Sequence, residues 1–410
     1  MNFYRCRFCA NELKYTFVDL GVTPLANSYL KEEILDSAEP FYSLHVRVCE
    51  KCFLVQLPEL ALAEKIFSDY LYYSSYSGTW LEHSRNYCAE VIERFNLNEN
   101  SRVIEIGGND GYLLQYFKER NISILNVEPA ANIAETAVLK GIPTLVKFFS
   151  AATAQKLVGE GNQPDLVVAN NVLAHVPDIN DFVKGFAILL KPEGVATFEF
   201  PHLFNLIEQN QFDTIYHEHF SYLSLTTVER IFAAHGLTVF DVEELPTHGG
   251  SLRVFAQKTE TGKYEISANV GRIKTLEVSH GLTDVERLTH FDEQVKRTKW
   301  DLVKKLIEIK NEGKTIVAYG AAAKGNTLLN YCGIKTDFID YVCDANPNKQ
   351  NCFLPGTRVP VAAPEKIRET KPDYVLILPW NIAGEIIEKY DFIRDWNAKF
   401  IVPIPKVQII

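Results

Sequence analysis

Apolar and polar residues alternate along FYSLHVRVC, starting at Phe41, and that period of two predicts a strand. From Leu60 to Phe95 the period lengthens, which predicts helical segments around a tyrosine-rich turn. Beyond Arg102 the pattern becomes strand, glycine turn, helix and strand, in RVIEIGGNDGYLLQYFKER followed by ILNVEPAANIAETAVLKG. DLVVANN, the helical DFVKGFAILL and GVATFEF continue the alternation, and LTVFDVEEL with SLRVFAQK reads as a closing strand pair. From Val278 to Glu312 a charged stretch keeps a helical apolar period without a strand signal, as one connecting helix would. The strand and helix rhythm restarts in TIVAYGAAAKGNTLLNY, DFIDYVCDAN and DYVLILPW. An α/β chain in four parts is expected: a small domain over 1–68, a parallel α/β core over 69–260, a helical connector over 261–312 and a second, smaller α/β unit over 313–410.

The 410 residues suit two to three domains of roughly 150 residues each. Lys plus Arg number 42 and Asp plus Glu 52, and the net charge of −10 argues against nucleic acid as a partner. Composition is that of an ordinary globular protein, 47% hydrophobic and 23% charged. The polar start MNFYRCRFC has no signal-peptide core, and no uncharged apolar run approaches the roughly eighteen residues of a membrane span. A cytoplasmic protein with no membrane partner is expected.

Four of the eight cysteines fall in two C-x-x-C pairs, Cys6 with Cys9 and Cys49 with Cys52. Thiolates at i and i+3 of a tight turn point at one ion, and two such turns close a tetrahedral shell, so a structural Zn²⁺ is expected. A redox or merely buried role is the alternative, yet neither pair joins a strand to a helix in a thioredoxin-like setting. Cys88, Cys332, Cys343 and Cys352 lack such spacing and read as packing or incidental thiols.

In Glu105-Ile-Gly-Gly-Asn-Asp-Gly111, the glycines Gly107, Gly108 and Gly111 let backbone and ligand approach closely, and a nucleoside ligand is expected. Glu128 ends the next strand, where a carboxylate accepts both ribose hydroxyls. The loop departs from G-x-G-x-x-G and carries acids at Glu105 and Asp110. Such acids suit the sulfonium and amino group of S-adenosylmethionine and would repel the pyrophosphate of a nicotinamide cofactor. A bare strand-to-helix turn is the bland alternative.

C-R-F-C and C-E-K-C, with V-D-L-G-V-T-P-L-A-N after the first pair, resemble the zinc-binding N-terminal domain of sugar C-methyltransferases, and E-I-G-G-N-D-G resembles their methyl-donor loop. N-N-V-L-A-H-V, Y-H-E-H-F-S-Y, H-G-G-S-L-R and G-A-A-A-K-G-N are similar to that family's remaining blocks, in order along essentially the whole chain. The resemblance implies a Rossmann-like methyltransferase core between a small Cys₄ zinc domain and a second, C-terminal Rossmann-like domain. It also implies that S-adenosylmethionine methylates a carbon beside the 4-keto group of a nucleotide-linked deoxysugar. Carbon 3 and carbon 5 both fit, the nucleotide base stays open, and the oligomeric state is unassigned.

Methylation at carbon needs a proton removed beside a carbonyl and a stabiliser for the enolate oxygen. Tyr216, Glu218 and His219 follow the FEFPHLFN strand end, where parallel sheets present catalytic loops. The resemblance makes His219 the base, with Glu218 orienting or charging it and Tyr216 nearby; a loop histidine bonded to backbone is the alternative. His217 alternates with this set and is expected to face away. His175, in NNVLAHVPD, follows another strand end and is the expected polariser of the ketone oxygen. Tyr70, Tyr72, Tyr73 and Tyr76 cluster ahead of the core; Tyr76 is the expected functional one, with aromatic packing the competing account. His248 and its glycines read as a turn on the rim, and Arg253 as a structural strand residue.

Gly320-Ala-Ala-Ala-Lys324-Gly325-Asn326 follows another apolar strand, and Lys324 at a helix start adds positive charge to the helix dipole, so a diphosphate is expected there. Asp344 ends the next strand as a ribose acid would, and Asn346, Lys349 and Asn351 extend the polar lip. A nucleotide fold kept for packing alone is the competing reading. Two functions stand: a sugar C-methyltransferase, with O-methylation as its variant, and a non-catalytic scaffold for a sugar nucleotide or a partner protein. The Tyr-His-Glu-His segment favours the enzyme, because a scaffold has no need of a base.

Overall fold

The structure is a computed structural model and describes residues 4–60 and 73–410. The expected boundary near residue 68, the start of the helical stretch after Leu60, Tyr70 and Tyr72 lie outside the described residues. The chain forms two compact units that do not follow chain order. The first gathers Met1–Leu13, Cys49–Leu203 and Phe220–Val285; the second gathers Lys14–Val48, Phe204–His219 and Glu286–Ile410. Both the loop between the cysteine pairs and the 204–219 segment thus belong with the C-terminal sheet.

The first unit is built on seven strands: β1 (Arg102–Ile106), β2 (Ser123–Val127), β3 (Thr144–Leu145), β4 (Leu166–Asn170), β5 (Val195–Pro201), β6 (Leu237–Leu245) and β7 (Ser251–Lys258). Their order is β6-β7-β5-β4-β1-β2-β3. The run from β5 to β3 is parallel, and β7 inserts antiparallel to both β5 and β6. Near-continuous apolar runs such as LVVAN suit strands covered on both faces. Side chains alternate accordingly: Ile104 and Val167 join one core cluster with Phe186 and Phe198, while Val103 and Val168 join the other with Tyr87 and Phe117. Helix Gly78–Arg94 covers the second cluster; it starts where the Ser77 side chain accepts the Trp80 N–H, and buries Ser84, Tyr87, Cys88 and Val91 at helical spacing. Helix Ile179–Leu189 covers the first; it is capped by Asp178 and buries Phe182, Val183, Phe186 and Leu189. Each such large apolar side chain contributes about 1.5 to 3 kcal/mol of burial.

In the second unit Tyr15–Thr23 and Tyr42–Val48 form an antiparallel hairpin, and Phe17 stacks on Phe291 with ring centroids 4.7 Å apart. Its main sheet holds β8 (Ile316–Tyr319), β9 (Val342–Cys343), β10 (Val361–Ala362), β11 (Tyr374–Ile377), β12 (Lys399–Val402) and β13 (Gln408–Ile409). The order is β10-β9-β8-β11-β12-β13, parallel except for the last pair. The single connecting helix expected from Val278 to Glu312 is instead three helices, Ala268–Ser279, Val285–Thr289 and Phe291–Asn311. Gly281, at φ +78°, turns the chain out of the first, which periodicity alone does not register. Among the described residues no helix is long and apolar enough to cross a membrane.

Candidate functional site

The four cysteines of the first unit place their sulfurs within 4.8 Å of one another. Separations of 3.5 Å for Cys6 to Cys52 and for Cys9 to Cys49, and 3.7 Å for Cys9 to Cys52, match the edge of about 3.8 Å that Zn–S bonds of about 2.3 Å impose on a tetrahedron. The two turns are built alike. Ala10 N–H bonds to the Cys6 carbonyl and Phe53 N–H to the Cys49 carbonyl, each at 2.9 Å. Ala10 and Phe53 both take left-handed backbone, at φ +58° and +64°. The quartet is a structural zinc centre. Its first turn also grips the loop after His175: the Arg7 guanidinium donates to the Pro177 carbonyl at 2.7 Å and to the Leu57 carbonyl, and Asn180 Nδ2 donates to the Arg7 and Phe8 carbonyls at 3.0 Å.

At the end of β1, Gly107 turns at φ +67° and its N–H bonds to the Val127 carbonyl at 2.8 Å. Asn126 Oδ1 accepts the Gly108 N–H at 3.1 Å; Glu128 accepts the Asn109 N–H at 3.0 Å and the Ala130 N–H at 2.9 Å. The glycines are demanded by the protein's own packing: an added Cβ would meet Val172 at 2.6 Å from Gly107, Glu105 Oε2 at 2.8 Å from Gly108 and Ile142 at 2.8 Å from Gly111. Burial pushes the Glu105 carboxyl up to about 8 against a hydrogen bond from Tyr112, with Glu128 and Asp110 adding repulsion. Burial likewise pushes Glu128 up to about 7, against its two backbone N–H bonds. Asp110 Oδ2 pairs with Lys140 at 2.9 Å. Asp110 Oδ1, and Asn170 Oδ1 at the end of β4, are buried acceptors with no hydrogen-bond partner among the described residues. Spare acceptors beside raised carboxyls fit a ligand that carries an amino group and a cationic centre, which is the chemistry of S-adenosylmethionine.

Sequence reading missed the polar layer beneath this rim. Glu199 of β5 sits at an alternating strand position yet is 1% exposed, accepting from His83 Nε2 at 2.9 Å and pairing with Arg253 at 2.8 Å. Burial pushes its carboxyl up, but the His83 and Arg253 interactions outweigh that and hold it low. Arg253 also reaches Glu243 at 3.0 Å and Glu90 at 3.2 Å. His83 stacks on Trp80 at 4.9 Å, and Trp80 also contacts His248 at 5.3 Å, which holds left-handed backbone at φ +56°. The only advance signal was the Arg of H-G-G-S-L-R. Tyr76 is 66% exposed and stacks on Tyr73 at 5.4 Å, and the same short turn meets the donor loop, where the Ser74 N–H bonds to Asn109 Oδ1 at 3.0 Å. His175 ends the turn Leu173–His175 after β4 and is half-buried.

In the second unit, the short turn Phe212–Thr214 leads into Tyr216, His217, Glu218 and His219. His219 Nδ1 bonds to the Thr214 carbonyl at 2.7 Å, so Nδ1 carries the proton and the basic lone pair of the neutral ring lies on Nε2. The Tyr216 ring lies 4.1 Å from the His219 ring, centroid to centroid. His217 is engaged elsewhere, at 3.2 Å from the Ser43 carbonyl, with its ring 5.7 Å from Tyr42. Glu218 Oε1 accepts from Asn27 Nδ2 at 2.6 Å.

The second glycine loop belongs to the same unit. Gly320 turns at φ +94° where a Cβ would lie 2.4 Å from Pro379, and a Cβ on Gly325 would lie 2.8 Å from Leu378. Lys324 Nζ donates to Asn381 Oδ1 at 3.1 Å and lies 5.0 Å from the Trp380 ring. Burial lowers its pKa, while Asp213 opposes that shift. Asp213 is fully buried, accepts the Trp380 indole N–H at 2.7 Å, and is pushed up to about 7 by burial. Asn326 Nδ2 donates inward to the Ala26 carbonyl at 2.6 Å. Lys349 Nζ donates to the Ala321 carbonyl at 2.8 Å and lies 3.9 Å from Asp344, whose Oδ1 accepts the Asn346 N–H at 2.8 Å.

Three family models match in sequence order: a zinc binding domain over residues 6–67, a methyltransferase domain over 80–242 and a C-methyltransferase C-terminal domain over 246–405. The chain is 34% identical over 405 residues to C-methyltransferase NovU of Streptomyces niveus, covering 99% of this chain and 96% of that protein. A ubiquinone biosynthesis O-methyltransferase of Chelativorans sp. (strain BNC1) is 30% identical over 98 residues, 24% of this chain and 39% of that protein. Among solved structures, magnesium protoporphyrin IX methyltransferase from Synechocystis PCC 6803 with bound SAM matches at 14% identity and a TM-score of 0.34, covering 43% of this chain and 79% of that one.

Proposed function

Because the chain belongs to the zinc-domain C-methyltransferase family and is an S-adenosylmethionine-dependent C-methyltransferase, we propose that its substrate is a nucleotide-linked deoxysugar, methylated at a carbon beside a 4-keto group. The observation that carries this reading is the His219 geometry: a backbone carbonyl fixes the proton on Nδ1 and leaves Nε2 as the base, with the Tyr216 ring against it. A carbon base is what C-methylation needs and what a sugar-binding scaffold lacks.

Glu128, Asp110 and Asn170 hold the donor's hydroxyl and amino groups, with Glu105 beneath Gly108 adding negative charge. Bound S-adenosylmethionine supplies the electrophilic methyl group. His219 Nε2 takes the proton from the carbon beside the ketone, and the C–H electron pair becomes the enolate. Glu218 favours the imidazolium so formed, and His175 stabilises the enolate oxygen. Lys324 and Lys349 offset the charge of the diphosphate. Arg7 of the first zinc turn, bonded to the Pro177 carbonyl at 2.7 Å, keeps the His175 loop in place.

The test is incubation with thymidine, uridine and cytidine diphosphate-linked 4-keto-6-deoxyglucose in deuterated water without donor. Deuterium should enter the carbon beside the ketone in at least one of them, and adding donor should convert that sugar to a carbon-methylated product. Methyl transfer to oxygen without exchange, or no reaction with any of the three, would contradict the proposal.

A further inference from the structure

The V-D-L-G-V-T-P-L-A-N stretch lies between the two cysteine pairs in sequence, yet its residues belong to the second unit. The loop it enters is pinned there at several points. Leu30 and Phe353 exchange backbone hydrogen bonds of 2.9 and 2.8 Å. The Tyr29 hydroxyl donates to the Ala321 carbonyl at 2.5 Å, and Asn326 Nδ2 donates to the Ala26 carbonyl at 2.6 Å. Asn27 therefore projects from a fixed backbone, and its Nδ2 lies 2.6 Å from Glu218 Oε1, across 191 positions of sequence.

Glu218 is 5% exposed, so its charge depends on what surrounds it. Among the groups whose charges act on its surroundings are Lys349, which is attracted to both Glu218 and Asp344, and the Tyr29 phenol, which is disfavoured as an anion by burial and then by the same two acids. Tyr216 and His219 stand on its own segment. Of these neighbours Asn27 alone is an amide, a donor whose charge does not change with pH.

We propose that Asn27 is a positioning residue for substrate deprotonation: its amide holds Glu218 in one orientation and keeps it an anion beside His219 in the chain. The inference rests on the reading that Glu218 and His219 serve the deprotonation. An amide suits the task because it donates at every pH. An aspartate at the same distance donates only while the two carboxyls share a proton, and once that proton leaves, two anions repel at hydrogen-bond distance.

Exchange of deuterium into dTDP-, UDP- or CDP-4-keto-6-deoxyglucose, without donor and from pH 6 to pH 9, tests this. Asn27→Ala should slow exchange roughly tenfold or more at every pH. Asn27→Asp should approach the wild-type rate at pH 6 and fall away as pH rises, while the wild type does not. Sugar-nucleotide affinity and the thermal midpoint should change little in either variant. The inference is overturned if Asn27→Ala exchanges at the wild-type rate, if Asn27→Asp follows the wild-type profile, or if Asn27→Asp is as slow as Asn27→Ala at pH 6. Glu218→Gln separates the two levels. A wild-type rate in that variant removes the underlying reading of Glu218, whereas a slow Glu218→Gln beside unaffected Asn27 variants removes only the role of Asn27.

Discussion

The loop after β1 and the loop after β8 both turn a parallel strand toward a helix through a glycine in left-handed backbone, at φ +67° for Gly107 and +94° for Gly320. The charged groups set around them differ. The first is ringed by acids, with Glu105 and Glu128 buried and pushed up to about 8 and about 7. The second presents Lys324 and draws in Lys349, both with pKa lowered by burial. In both loops the glycines answer to the protein itself, since an added Cβ would strike Val172 in one and Pro379 in the other. Glycine spacing thus reports how a strand end packs, and the flanking charges report which ligand the loop suits.

The largest expected effect separates chemistry from both loops. His219→Asn removes the proposed base and should lower turnover by about 10² to 10⁴, with donor and sugar-nucleotide affinities unchanged. A parallel loss of affinity would mean that the 204–219 segment serves binding. Next comes packing: Gly320→Ala combines a positive φ with a Cβ 2.4 Å from the Pro379 ring and should cost about 2 to 4 kcal/mol in denaturant unfolding. Gly107→Ala should cost less, because its obstacle at 2.6 Å is the end of the Val172 side chain. Equal costs would remove the distinction between the loops. The smallest effect is electrostatic. A cationic donor favours the ionised forms of Glu105 and Glu128, so binding near pH 7 should release protons, and affinity should weaken as pH falls from about 8 to below about 7, by up to tenfold per pH unit for each proton released. Calorimetry in buffers of different ionisation enthalpy counts those protons.

Much of this was legible locally. The C-x-x-C spacing and the apolar strands ahead of each glycine loop declare themselves within a few residues. What escaped depends on contacts distant in sequence. The alternation in FEFP places Glu199 on an outward face, but His83 and Arg253, 116 and 54 positions away, bury it as an ion. The stretch before Asn27 sits between two zinc turns, and nothing in its period says that it folds with residues near 218, 321 and 353. The helical period after Val278 runs through Gly281 because periodicity weighs side chains and not backbone handedness.

The division of ligands between the two loops is tested most directly by a crossed calorimetric titration. S-adenosylmethionine and the accepted 4-keto sugar nucleotide are each titrated into Glu128→Ala and Lys324→Ala. Glu128→Ala should weaken the donor by about tenfold or more and leave the sugar nucleotide within about twofold, and Lys324→Ala should do the reverse. Loss of donor affinity in Lys324→Ala with the sugar nucleotide unaffected would contradict the account.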